Sequence, residues 1–313
     1  MKKLVAVSLI MAGMVLVGGF HTLTQAQSPG IDAKPTILSP TPGLYVNGWP
    51  AFSLSYPKEW VEQHPMSPTD IYTAAVLRPP LPPGPSFTIN VWPAAGGDVN
   101  DAAKWYANGL APFGEDIKVL YTKPTKLQDG TPALEAEIEW VLRVVPEKPK
   151  IHTFVLAAIK DDVLTQVGLH EDRGMVGDDL KHIAYSLTFL KSRNEPMNVP
   201  HDVRAFLDKY CADVVSRDAE RIMADYSDQF LYSSAKKADI DRMYRNDPFS
   251  LIPRSVVSCE ATVTVFEPQG DKAYVAGFFV SKAKPDANAV KKPMYFQQII
   301  KEDGQWRWFG TQK

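Results

Sequence analysis

Cysteine and histidine are scarce in this sequence, at two and six in 313 residues. The motifs that would put them to chemical use are missing. There is no Cys-x-x-Cys pair, no His-Glu-x-x-His, no Gly-x-Ser-x-Gly elbow and no glycine-rich phosphate loop. Thiol-redox, hydrolase and nucleotide-binding readings therefore lack a nucleus. Long basic runs are missing too. The formal charge is −2, and it becomes more negative if the N-terminal Lys2 and Lys3 are removed, so electrostatic attraction to nucleic acid or anionic lipid is not expected. The chain does not lack core material, because 45% of it is hydrophobic, ample for two ordinary domains.

The two cysteines, Cys211 and Cys259, both fall in the C-terminal third. In an oxidising compartment they invite a disulfide worth about 3–4 kcal/mol in the chain-entropy model. Two buried free thiols are the alternative. Spacing does not choose between them, because a bond needs Cα atoms within about 7 Å.

Residues 1–27, "MKKLVAVSLIMAGMVLVGGFHTLTQAQ", carry two lysines, an apolar run from Leu4 to Phe20, then small residues at Thr24 and Ala26. That layout is a secretory signal with cleavage after Ala26, and it implies an extracytoplasmic protein, periplasmic or secreted. A retained anchor is the alternative, since about 17 apolar residues just suffice to span a bilayer. Residues 28–43, rich in Pro, Ser, Thr and Gly, read as a flexible leader. A second break, "KSRNEPMNVP" at 191–200, reads as a linker between a domain over 44–190 and another over 201–313.

The first domain is strand-rich. "FSLSYPKEW", "IYTAAVLRP" and "SFTINVWP" alternate, and the prolines of "RPPLPPGP" (78–85) read as a stiff loop, a polyproline ligand being the alternative. In "DVNDAAKWYANGLAPF", Ala102, Trp105, Tyr106 and Leu110 stand at helical spacing, with Asp98 or Asn100 available as cap. Strands are predicted around 117–127, 132–144, 151–159 and 163–169, and a helix in "DDLKHIAYSLTF". "FSLSYPKEW" and "LKHIAYSLTF" resemble the opening strand-turn and closing helix of PsbP-like proteins, which share the Mog/PsbP fold. The resemblance covers about 44–190. It implies an antiparallel-sheet α/β/α sandwich and a noncatalytic accessory role.

In the second domain, "DVRAFLDKYCADVVSRD" places Val203, Phe206, Leu207, Tyr210 and Val214 on one helical stripe. "DAERIMADYSDQF" starts a helix at the cap Asp218, and "KADIDRMYRN" makes a third. Strands are predicted at 254–266, 272–282, 293–301 and 305–310, the last following the Asp303-Gly304 turn. "YSDQFLYSS" and "IIKEDGQWRWFG" resemble the nuclear transport factor 2-like superfamily over about 199–313. That resemblance, of the SnoaL-type, cystatin-like kind, implies an α+β cone with a curved antiparallel sheet, pairing through its open face as a homodimer, and a pocket. The fold class expected for the chain is thus α+β throughout.

Candidate site residues follow from these readings. Tyr210, Tyr226, Tyr244, Tyr295, Phe296, Trp306 and Trp308 are numerous for one domain. They serve either as core or, where they face a pocket, as binders of a small apolar ligand, the set chosen being Tyr210, Tyr226, Tyr244, Trp306 and Trp308. No catalytic set converges, because His201 is the one histidine of this domain. A cofactor-free lyase or isomerase using Asp225 or a tyrosine is the enzymatic alternative. In the first domain "LHEDRGMVGDDLKH" gathers His170, Glu171, Asp172, Asp178, Asp179 and His182. Its spacing matches no recognised metal motif, and a capped, solvated helix start explains the acids equally well, so no metal or cofactor is assigned. The expected function is an exported noncatalytic binding or assembly protein whose partner is an unknown envelope protein or a small apolar ligand.

Overall fold

The computed structural model describes residues 43–63, 73–80, 85–94, 96–143, 145–172, 174–190, 195–232, 235–246, 256–294 and 297–312. The stretch read as signal, most of the stretch read as leader, residues 81–84 and 191–194, His64, Tyr295 and Phe296 lie outside them. The described residues group into two compact units, one of 43–46, 53–63 and 73–189, the other of 47–52 and 190–312.

In the first unit β1 (Leu44–Asn47) and β2 (Phe52–Ser55) precede β3 (Val61–Gln63), β4 (Thr73–Arg78) and β5 (Ser86–Pro93). A 3₁₀ turn, Val99–Asp101, then leads into α1 (Ala102–Leu110). Asp98 caps the 3₁₀ turn, its carboxylate accepting from the Asn100 amide at 2.9 Å, so the cap sits one element earlier than the helix it was expected to start. Four long strands follow: β6 (Gly114–Lys126), β7 (Pro132–Leu142), β8 (Lys150–Lys160) and β9 (Val163–Glu171). The unit closes with α2 (Asp178–Tyr185) and the short β10 (Thr188–Phe189), which joins a small sheet ordered β1-β2-β10.

The main sheet has seven strands in the order β3-β4-β5-β9-β8-β7-β6, and its pairings are antiparallel. Strand periodicity sorts its two faces. On one face Ala136, Ile138 and Trp140 of β7 and Ile151 and Val155 of β8 pack against Ala102, Ala103, Tyr106 and Leu110 of α1. The opposite face carries Phe154, Leu156, Val167 and Leu169, together with Glu135, Glu137 and Glu139. Helix α2 lies on that side, buried through Leu180, Ile183 and Ala184.

The second unit begins its regular structure with α3 (His201–Ser216), α4 (Ala219–Ala224), β11 (Leu231–Tyr232), β12 (Ala235–Lys236) and α5 (Lys237–Asn246). His201 is the first residue of α3, directly after the expected linker. Val203, Phe206, Leu207, Tyr210 and Val214 are all buried, as their spacing predicts. Asp218 caps α4 through the amides of Glu220 and Arg221. Strands β13 (Ser258–Gln269), β14 (Lys272–Lys282), β15 (Val290–Pro293), β16 (Gln298–Glu302) and β17 (Gln305–Trp308) make a five-stranded sheet, ordered β13-β14-β16-β17 with β15 also paired to β14. The segment read as one strand over 293–301 is thus two strands that share β14 as neighbour. Asp303 and Gly304 take φ of 51° and 76°, the left-handed pair that a two-residue hairpin between β16 and β17 requires.

Candidate functional site

The α1 face of the main sheet encloses a polar knot in an otherwise apolar layer. His170, on β9, is 1% exposed. Its Nε2 lies 3.2 Å from Tyr106 Oη and 3.3 Å from Thr88 Oγ1, while Nδ1 lies 3.0 Å from Thr153 Oγ1. The Trp140 indole donates to that same threonine oxygen at 2.9 Å. Gly168 makes the knot possible, because a Cβ there would collide with the Tyr106 hydroxyl. Burial lowers the His170 pKa to about 4, so the ring is neutral, one nitrogen donating and the other accepting, with hydroxyls that rotate to match. Both ring nitrogens have partners, and the knot is a finished piece of core.

The α2 face is different. Register places Tyr121, Glu137 and Phe154 side by side across β6, β7 and β8, with Lys123 and Glu135 in the next row and Glu139 and His152 beyond. Over them stand Asp178, Lys181, His182 and Tyr185 of α2, which with Tyr121, Lys123, Glu135 and Phe154 line a groove of about 320 Å³; Glu137 lies behind that lining, between Tyr121 and Phe154. That is the lower end of the range for small-ligand sites. The Tyr185 hydroxyl donates to Glu135, whose other oxygen is 3.3 Å from the exposed Lys123 ammonium. Burial first, then the hydrogen bond to Glu135, raises the Tyr185 pKa. Tyr121 is raised by burial and then by the charges of Glu135, Glu137 and Asp178, so a negative field fills this corner.

Glu137 is 0% exposed, and neither of its carboxylate oxygens accepts a hydrogen bond. The nearest basic groups stand off beyond hydrogen-bond range, the His152 ring Nδ1 at 3.8 Å and the Lys181 ammonium at 3.9 Å. Lys181 Nζ also lies 3.9 Å from Asp178 and 5.2 Å from the centre of the Phe154 ring. A buried carboxylate without donors costs several kcal/mol relative to a bonded one. It lies directly behind the groove lining, beside Tyr121 and Phe154 and 3.9 Å from the Lys181 ammonium, and together with the lining it forms the candidate binding site. Of these residues the sequence singles out Asp178 and His182, as members of the acidic segment 170–182, and not the others. The available signal was "ALEAEIEWVL", where Glu135, Glu137 and Glu139 alternate with apolar residues and must share a strand face.

The acidic segment 170–182 is split by the fold. His170 enters the α1-face knot, whereas Asp178 and His182 border the groove on the opposite side. Among the described residues no three His, Cys, Asp or Glu side chains are placed to hold a metal ion.

In the second unit the aromatic residues pack on one another. Trp308 is 1% exposed, its ring meeting Phe206, Tyr210 and Phe279 edge-on or nearly so at 5.2, 5.5 and 6.4 Å. Tyr210 and Tyr226 are buried with hydroxyls 3.4 Å apart, and burial pushes the Tyr210 pKa up to about 12. Trp306 lies nearer solvent, donating to Asp202 at 2.9 Å, and Tyr244 packs at the margin of the cluster. Phe278 and Phe279 point to opposite sides, the first to Trp49 and the second to Tyr210. Cys211 and Cys259 are bonded to each other, with Cα atoms 5.2 Å apart, tying α3 to β13. Asp225, at the end of α4, is 3% exposed. Lys209 bonds one of its oxygens, and Oδ2 has no hydrogen bond. Burial raises this carboxyl to about 6 against the opposing pull of Lys209.

Fold and site define an α+β protein of two units built mostly from antiparallel sheets, with a charged groove in the first. No protein-family model matches the chain, and no curated protein does. Among solved structures it is similar to cyanobacterial PsbP (CyanoP) from Synechocystis sp. PCC 6803, at 13% identity and TM-score 0.37, over 51% of this chain and 100% of that one. A protein from Bacteroides thetaiotaomicron VPI-5482 matches at 10% identity and TM-score 0.34, over 85% of this chain and 88% of that one. PA94 of Pseudomonas aeruginosa, a protein of unknown function, matches at 13% identity and TM-score 0.24, over 42% of this chain and 81% of its own. At these TM-scores the likenesses place the chain in no family.

Proposed function

We propose that the chain is an exported, noncatalytic binding or assembly protein, built from a PsbP-like sandwich and a nuclear transport factor 2-like cone, and that it binds through the groove under α2. The observation that carries this reading is Glu137, fully buried beside a cavity and left without a hydrogen bond. A fold tolerates such a group where a ligand completes it. The mutual packing of Tyr210, Tyr226 and Trp308 supports placing the ligand in this groove rather than among the cone aromatics. Export rests on the N-terminal signal pattern.

Native mass spectrometry of protein recovered from the host's extracytoplasmic fraction tests both parts. The expected result is a chain beginning at Gln27 with a bound molecule that is lost in Tyr121→Ala/Lys123→Ala. Recovery in the cytoplasm with the N-terminus intact overturns export. Retention of the adduct by the double variant moves the site elsewhere.

A second reading, proton transfer in the C-terminal unit, is favoured by one observation. The Asp225 carboxyl is raised to about 6, and its field also reaches Tyr210 and Tyr226. This is the cofactor-free lyase or isomerase alternative. Under it an adduct would survive the groove variant and disappear in Asp225→Asn.

A further inference from the structure

We propose that the groove receives a primary alkylammonium group and that Lys181 holds that place from within the chain until the ligand displaces it. The inference rests on the groove being the binding site. The chemistry of the lining selects the ligand class. Three carboxylates, Glu135, Glu137 and Asp178, stand against two ammoniums, Lys123 and Lys181, and the excess of acids disfavours an anion. No three metal-ligating side chains come together among the described residues, which disfavours a bare divalent ion. What remains is a carboxylate facing an aromatic ring, the pairing that recognises an organic cation.

Lys181 shows where such a cation sits. Its ammonium lies 5.2 Å from the Phe154 ring centre and 3.9 Å from both Glu137 and Asp178, within reach of all three yet hydrogen-bonded to neither carboxylate. Lys181 is tethered to α2 and Glu137 to β7, and between these layers the rings of Phe154 and Tyr185 pack 5.9 Å apart. A ligand ammonium is free of that tether. It can close to about 2.8 Å and make the charge-assisted bonds that Glu137 lacks. The Lys181 side chain is 17% exposed, so it has a route to water when displaced. A cavity of about 320 Å³ accommodates an alkyl stem with its ammonium rather than a large cofactor.

The test is titration calorimetry of the purified full chain with three probes: N-acetyl-lysine methylamide, pentylamine and the uncharged N-acetyl-norleucine methylamide. Wild type, Lys181→Met and Glu137→Gln are compared, with thermal melts to show that each is folded and Lys181→Gln as a second variant should the methionine form fail. Both amines should bind Lys181→Met at least tenfold tighter than wild type, bind Glu137→Gln at least tenfold more weakly than wild type, and outcompete the norleucine compound. A tighter lysine derivative points to a lysine of a partner protein, a tighter pentylamine to a free amine, and either supports the ligand class. Equal binding of norleucine and lysine compounds, or no gain in the Lys181 variants, overturns the ammonium assignment while leaving a binding groove in place. Amide shifts mapped by NMR separate the two failures: if no probe perturbs residues 121–123, 135–137 or 178–185 in any folded variant, the groove reading and the inference fall together.

Discussion

The two faces of the seven-stranded sheet both bury polar groups, and they do so to opposite effect. Under α1, His170 has partners at both ring nitrogens, and the hydroxyls of Thr88, Tyr106 and Thr153 are mutually used. Under α2, Glu137 is buried as deeply and has no hydrogen bond. Burial alone therefore does not mark function in this molecule. A satisfied network makes the core specific, whereas an unsatisfied buried carboxylate is a cost that a donor from a ligand would offset.

That contrast can be broken by mutation, beginning where the effect is largest. In the second unit, Cys211→Ala/Cys259→Ala should cost about 4 kcal/mol through the loop it opens, and should leave groove binding unchanged. It calibrates urea unfolding against a purely structural constraint. His170→Leu should cost about 3 kcal/mol by removing the ring that Thr88, Tyr106 and Thr153 all bond, again with binding intact in the folded fraction. On the other face, Glu137→Met should have the opposite sign. Replacing the unbonded carboxylate by an apolar side chain of similar length should raise stability by about 1 kcal/mol and abolish binding. A destabilised Glu137→Met would show that His152 and Lys181 already compensate the charge, and the contrast between the faces would collapse. The smallest effect belongs to the exposed Asp202, which accepts from Lys301 and Trp306. Asp202→Asn should change stability by less than about 1 kcal/mol.

Proton linkage sharpens the comparison. The His170 pKa is about 4 when folded and 6.5 when free, so the unfolded chain binds more protons between those values. Its contribution is complete above pH 6.5 and is lost as pH falls toward 4, about 3 kcal/mol for a fully buried ring. Asp225 has the reverse sign. Its folded pKa, about 6, lies above the usual 3.8, so its contribution is greatest at low pH and is lost as pH rises from 3.8 to 6. Unfolding free energies measured from pH 4 to 7 should therefore rise with pH more steeply in Asp225→Asn than in wild type, and less steeply in His170→Leu. Parallel curves would remove either residue from the account.

Most elements were legible in the sequence because their patterns are local. The stripe of Val203, Phe206, Leu207, Tyr210 and Val214 requires a helix, and "SFTINVWP" and "KAYVAGFFVSK" are the strands β5 and β14, each burying five consecutive residues rather than alternating ones. Among strands of four residues or fewer, β2 and β17 were legible, whereas β1, β3, β10 and β15 were not, since so few positions seldom register a period. The groove was half legible. The acids of "ALEAEIEWVL" share a face by strand geometry alone, but a charged strand face ordinarily meets water.

The sequence by itself determined which residues line each face of a strand or helix, because side-chain direction repeats every 2 or 3.6 residues whatever lies across from it. It likewise confined thiol chemistry to Cys211 and Cys259. Only the tertiary structure decided that the two cysteines meet, that His170 is clasped by Thr88, Tyr106 and Thr153, and that α2 comes down over Glu137 beside Phe154. Those outcomes depend on register between segments tens of residues apart. Burial of a polar group follows from what the rest of the chain places over it, not from its neighbours in sequence.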